Sequence, residues 1–239
     1  MNRTPELSLI AFDADDTLWQ NEAYFRLSEQ NLAELLGEYS TLKDVHHSLI
    51  EAERRNLKHY GYGVKGFTLS MIETAIEITD GRVPNALIRQ ILDLGRDMLS
   101  HPVELLPGAR DAIEALRLEF TVILLTKGDL IEQERKVAHS RMGGLFHAIE
   151  IVSEKSVEIY RRVFHQYGDG PDTAMMVGNS IKSDILPSLQ AGSWGVYVPH
   201  RLEWELEAAA APRGHPRFRE LSWLGDLPPL IRAINTSAP

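Results

Sequence analysis

The sequence predicts an α/β protein: a doubly wound parallel sheet carrying an inserted helical cap. Three observations predict it. A short apolar run, Leu7–Phe12, stops at the acidic cluster Asp13-Ala-Asp-Asp-Thr17; a long stretch after it repeats its apolar residues with helical period; and from Leu105 onward short apolar runs alternate with helical segments. Strands alternating with helices pair in parallel and are covered on both faces, and connections between them are right-handed. The core is therefore assigned to residues 1–18 and 105–239, and the helical cap to residues 19–104.

Leu7–Phe12 is apolar enough for a strand buried on both faces. After Trp19, the periodic residues Phe25, Leu32, Leu35 and Leu36, then Leu49 to Leu57, Leu69 to Ile78 and Ile88 to Leu99 mark about four helices. Gly37, Gly61-Tyr-Gly63 and Gly81 to Pro84 punctuate them. The alternating part reads as helix 108–118, strand 120–125, helix 129–140, strand 149–152, helix 156–167, strand 174–177, helix 181–191 and strand 195–198. Ala208 to Pro216 is small and proline-containing, a loop, and 222–234 reads as a last amphipathic helix.

Composition bounds the function. With 44% hydrophobic and 25% charged residues, the 239-residue chain has the balance of a folded globular protein. Its net charge of -9 argues against a nucleic-acid polymer as partner, since a phosphate backbone calls for a basic face. The absence of cysteine excludes a thiol nucleophile and a zinc-thiolate site, and fits a reducing, cytoplasmic setting. No apolar run reaches the length of roughly 18 residues that a membrane span requires, so no membrane association is expected.

In open parallel sheets the ligand lies beyond the carboxyl ends of the strands. Four such ends carry polar clusters: Asp13 and Asp15; Thr126-Lys127-Gly128; Lys155; and Gly178-Asn-Ser-Ile-Lys-Ser-Asp184. Singly each is weak, because acidic residues also cap helices. As an ordered set, FDADDTLW, LLTKG, SEKS and GNSIKSD resemble the four motifs of the haloacid dehalogenase-like superfamily. The resemblance covers nearly the whole chain. It implies a Rossmann-like core, a helical cap directly after the first motif, and phosphoryl transfer through an aspartyl-phosphate.

The chemistry leads to the same roles. A phosphomonoester dianion repels a carboxylate, so a nucleophilic Asp13 needs a cation and a metal beside it. Lys155 supplies the first, and Mg2+, which takes hard oxygen ligands, supplies the second through Asp13, the carbonyl of Asp15 and Asp184. Asp15 is placed to protonate the leaving alkoxide and then to deprotonate the attacking water. Thr126, with Lys127 and Gly128, is expected to bind the phosphoryl oxygens.

Branches of the superfamily differ at these positions. True dehalogenases lack an acid corresponding to Asp15, so the resemblance favours a phosphatase acting on a small phosphorylated metabolite, such as a sugar phosphate or nucleotide. A dehalogenase, a phosphonate-cleaving enzyme and a weakened ligand-binding protein on the same scaffold are the alternatives, and a monomer or homodimer is expected. Asp16 stands where many members have Gly, and Asp tolerates left-handed backbone better than most residues. Asn179 stands where similar phosphatases carry an acid; its amide oxygen serves Mg2+ or a bound water, with one negative charge fewer. Lys127, in place of a common Asn, adds a positive charge expected to face the phosphate.

Overall fold

The computed structural model describes residues 6–236. Among them the sheet has six strands, all parallel, in the order β3-β2-β1-β4-β5-β6. These are β1 (Leu9–Phe12), β2 (Thr121–Lys127), β3 (Ala148–Val152), β4 (Ala174–Gly178), β5 (Trp194–Tyr197) and β6 (Phe218–Glu220). Strand order reverses direction between β1 and β4, and there the connections lead away to opposite sides and open a crevice at the strand ends.

The apolar run of β1 splits between two cores because successive side chains point to opposite faces. Ile10 and Phe12 pack with Val122, Leu124, Met175 and Val177 beneath α5 (Ala109–Leu116) and α9 (Leu227–Thr236). Leu9 and Ala11 pack with Ile123, Leu125 and Met176 beneath α7 (Val157–Tyr167), which contributes Tyr160, Val163 and Phe164. Two buried faces explain why these strands read as continuous apolar runs instead of alternating ones. The doubly wound α/β core is thus present as the sequence predicts.

Several boundaries differ from the sequence reading. Strand β2 continues through Thr126 and Lys127, two residues past the last apolar one, because both still pair with Ile151 and Val152. The helix expected at 181–191 begins as a π turn, Ile181–Ile185, before α8 (Leu186–Ala191). Strand β6 is an addition at the sheet edge, where Phe218 lies buried against Ile185 and Leu189. No helix among the described residues is long and apolar enough to cross a membrane.

The chain divides into two compact units. The first holds the residues up to Gln20, Val103–Lys127 and those from Gln133 onward, and the second holds Asn21–Pro102 with Gly128–Glu132. The chain leaves the sheet unit after Gln20, not Leu18: Trp19 bridges Leu105, and the Gln20 N–H donates to the Glu104 carbonyl at 2.9 Å.

The second unit contains α1 (Glu22–Leu35), α2 (Leu42–Tyr60), α3 (Val64–Ile78) and α4 (Asn85–Ser100) around a core of its own, in which Leu32, Leu49, Met71 and Ile91 are buried. Phe25 and Phe67 meet edge to face there, with ring centroids 4.9 Å apart. Glu132 caps the start of α3 by accepting from the Val64 N–H at 2.9 Å, and Lys65 pairs with Asp129 at 2.8 Å.

Candidate active site

Asp13 follows β1 and its N–H donates to the Val177 carbonyl of β4 at 2.9 Å, which fixes the carboxylate at the point where strand order reverses. Lys155 lies between two carboxylates: its Nζ is 2.5 Å from Asp13 Oδ1 and 2.7 Å from Asp184 Oδ1. All three side chains are buried. Asp184 is held from its other oxygen by the Ser180 N–H at 2.9 Å. Its carboxylate occupies the place where a side chain at position 178 would be, since a Cβ there would stand 2.2 Å from Asp184 Oδ2; only glycine fits.

Burial pushes the Asp13 carboxyl up from 3.8 to about 7, with Lys155 opposing the shift and Asp184 adding to it. For Lys155, burial works against the charge, but Asp13 and Asp184 outweigh it and hold the ammonium above the usual lysine range. The two carboxylates thus favour the charged lysine, while burial opposes ionisation of Asp13.

Asp15 is held by three donors. Trp19 Nε1 reaches its Oδ1 at 2.8 Å, Gln133 Nε2 its Oδ2 at 3.2 Å, and Lys136 Nζ both oxygens at 3.1 and 3.0 Å. Gln133 and Lys136 project from α6 (Leu130–Ser140), spaced so that they share one face of that helix. Gln133 also donates to Thr126 Oγ at 2.7 Å, which satisfies that oxygen as an acceptor and leaves the hydroxyl proton available for another partner. Asp16, at φ 59, adopts the left-handed backbone that the sequence reading allowed for.

Asn179 lies beside Asp13 and Asp15. With its nitrogen turned toward them, its amide donates to the Asp15 carbonyl at 3.0 Å, to Thr17 Oγ at 3.1 Å and to Asp13 Oδ2 at 3.3 Å. Turned the other way, it presents its oxygen to the same group and accepts from Thr17 Oγ. Asp13 Oδ2, the Asp15 carbonyl and the Asn179 amide oxygen thus converge as a hard-oxygen donor set. Asp184 accepts from Lys155 at one oxygen and from the Ser180 N–H at the other.

Lys127 is placed differently from its expected role. Its Nζ is 2.6 Å from Ser183 Oγ and 2.8 Å from Glu207 Oε1, so much of its charge is directed to a buried carboxylate. Gly128, at φ 146, falls within the helical unit. Asp13, Asp15, Thr126, Lys155, Asn179 and Asp184 come together in the sheet unit.

Three further residues at this site escape the sequence reading. Gln133 and Lys136 carried a usable signal, being polar residues three apart on the helix that follows Thr126. Glu207 carried none, because its partner Lys127 is 80 residues away.

The family model for haloacid dehalogenase-like hydrolases matches residues 7–192. A haloacid dehalogenase-like family hydrolase from Xanthomonas campestris is 41% identical, with 99% of this chain and 98% of that one covered and a TM-score of 0.86. The putative hydrolase YfnB from Bacillus subtilis, solved bound to magnesium, is 16% identical over 95% of this chain and 99% of its own, with a TM-score of 0.68. L-2-haloacid dehalogenase from Xanthobacter autotrophicus, with chloropropionic acid covalently bound, is 17% identical over 95% and 98%, with a TM-score of 0.64. No curated protein sequence matches.

Proposed function

Because the chain belongs to the haloacid dehalogenase-like hydrolases, we propose that it is the phosphatase kind of member, a Mg2+-dependent hydrolase of a small phosphomonoester such as a sugar phosphate or nucleotide. The observation that carries this reading is the acid Asp15, held by Trp19, Gln133 and Lys136 two residues after the nucleophile candidate Asp13. An alkoxide leaving group needs a proton, whereas a halide does not.

In the first half-reaction Asp13 Oδ attacks phosphorus, the bond from phosphorus to the ester oxygen breaks, and Asp15 gives that oxygen its proton. In the second, Asp15 takes a proton from water, the water oxygen attacks phosphorus, and the bond to Asp13 breaks, returning the carboxylate and inorganic phosphate. Lys155 offsets the repulsion between Asp13 and the phosphoryl dianion from 2.5 Å. The Thr126 hydroxyl, with its oxygen already accepting from Gln133, is oriented to donate to a phosphoryl oxygen.

Asp13 Oδ2, the Asp15 carbonyl and the Asn179 amide oxygen would hold Mg2+, with Asp184 fixing Lys155 beside Asp13. When bound, the ion would neutralise charge on the phosphoryl oxygens and draw Asp13 toward its ionised form. The acidic net charge of -9 supports a small diffusible substrate over a nucleic-acid polymer.

The test is phosphate release from p-nitrophenyl phosphate with and without Mg2+. Wild type is expected to turn over only with Mg2+, and Asp13→Asn to lose all measurable release. Halide release from a 2-haloacid, persisting in Asp15→Asn, would overturn the phosphatase reading.

A further inference from the structure

We propose that Glu207 is a positioning residue that sets the geometry of the Asn179–Asp184 turn from outside the reacting groups. It sits in the long excursion between β5 and β6, on a short 3-10 turn, Glu205–Glu207, and is buried. Oε1 accepts from Lys127 Nζ at 2.8 Å, while Oε2 accepts from Ser180 Oγ at 2.7 Å and from Ser183 Oγ at 2.5 Å. The donor directions close without conflict: Ser180 Oγ also accepts from the Ser183 N–H at 3.0 Å, and Ser183 Oγ accepts from Lys127 at 2.6 Å. Such a fully satisfied buried network rigidifies what it holds.

What it holds leads directly to the reacting groups. Ser180 presents its N–H to Asp184, Asp184 accepts from Lys155, and Lys155 donates to Asp13. Asn179 precedes Ser180, so the orientation of its amide depends on the same turn. The excursion grips the turn a second time, where Lys182 Nζ donates to the Leu206 carbonyl at 2.6 Å. It also brings His200 within 3.5 Å of Asp16, beside the first strand end. Glu207 touches neither Asp13 nor Asp15 in these bonds, so it acts through the turn.

The ammonium of Lys127 and the two serine hydroxyls explain how a buried carboxylate is tolerated there. Burial alone would raise the carboxyl of Glu207, but Lys127, Ser183 and Ser180 together outweigh it and hold it below the usual glutamate range. Replacing the carboxylate with an amide of the same shape removes the counter-charge 2.8 Å from Lys127, leaving the Glu154 carboxylate at 3.7 Å, and turns an NH2 group toward donors.

The metal part of this inference rests on the proposed function, so the test has two readouts: hydrogen–deuterium exchange of the amides at 180–185, and Mg2+ binding by calorimetry, each for wild type and Glu207→Gln. In the variant, exchange in that segment is expected to rise about tenfold while the other strands keep their protection, and the Mg2+ dissociation constant is expected to rise about tenfold, as when a partner behind a metal ligand is lost. Unchanged exchange at 180–185 overturns the inference whatever the metal does. A loosened turn with unchanged Mg2+ affinity overturns the positioning role. A wild type that takes up no Mg2+, with the turn still loosened in the variant, supports the tie and removes the metal from the proposed function. If Glu207→Gln fails to fold, Ser183→Ala removes one donor to the same oxygen and carries the same expectations at smaller size.

Discussion

An amide at position 179 presents either an oxygen or a nitrogen to Asp13 and the Asp15 carbonyl, and only the oxygen serves a cation. Without a cation, the nitrogen has three acceptors within 3.0 to 3.3 Å to share its two protons, so metal binding under the proposed function has to displace those hydrogen bonds and reverse the amide. A carboxylate has no such competing orientation and adds a negative charge. Asn179→Asp is therefore expected to lower the Mg2+ concentration for half-maximal phosphate release by about tenfold, the scale on which groups around a metal change its affinity. A magnesium titration of the two proteins at one substrate concentration checks it. The place of Asn179 at the strand end beside Asp13 was legible in the sequence. The competition from the amide nitrogen was not, because it depends on where the Asp15 carbonyl and Thr17 hydroxyl lie in space.

Among the elements, the end of β4 leaves the least freedom. A Cβ at position 178 would stand 2.2 Å from Asp184 Oδ2, and Asp184 cannot retreat without releasing Lys155 or the Ser180 N–H. Gly178→Ala is expected to cost about 1–3 kcal/mol, the range for overpacking a close-packed site, and to reduce turnover by more than its loss of stability explains. Denaturant titration gives the first quantity and kcat at saturating Mg2+ the second. The elements that the sequence displayed best were those buried on both faces. Leu9–Phe12 and Ala174–Val177 are apolar throughout because α5, α7 and α9 cover both sides. What stayed hidden was polar or short: Thr126 and Lys127 remain in β2 through backbone pairing alone, and β6 buries only Phe218 fully. The π turn at Ile181–Ile185 is shorter than any periodicity can register.

At the scale of the whole molecule, the two units have separate cores, and a defect in one need not reach the other. Ile91 is fully buried among Leu32, Leu49 and Met71 in the helical unit. Ile91→Ala is expected to destabilise that unit by about 2–5 kcal/mol. Hydrogen exchange should show protection lost over 21–102 and retained in β1, β2 and β4. The division into a sheet and a helical insertion was legible from the change of period at Trp19 and at Leu105. The assignment of Gly128–Glu132 to the helical unit was not, since Gly128 and Asp129 link a sheet strand to α6 and residues 130–132 open that helix, the rest of which belongs to the sheet unit.

That assignment bears on how such a protein can be recombined. Val64 and Lys65 open α3, and their partners, Glu132 and Asp129, come from a separate stretch of chain. A chimera that exchanges residues 21–102 for the equivalent insertion of a relative would set a new α3 against Glu132 and Asp129 of this chain, carboxylates matched to Val64 and Lys65 and not to it. The transferable part of this molecule is discontinuous: the insertion together with the five residues 128–132. Grafts that carry both pieces keep the start of α3 with its own partners, and grafts that carry one leave the Val64 N–H and the Lys65 ammonium to whatever residues the recipient has at 129 and 132.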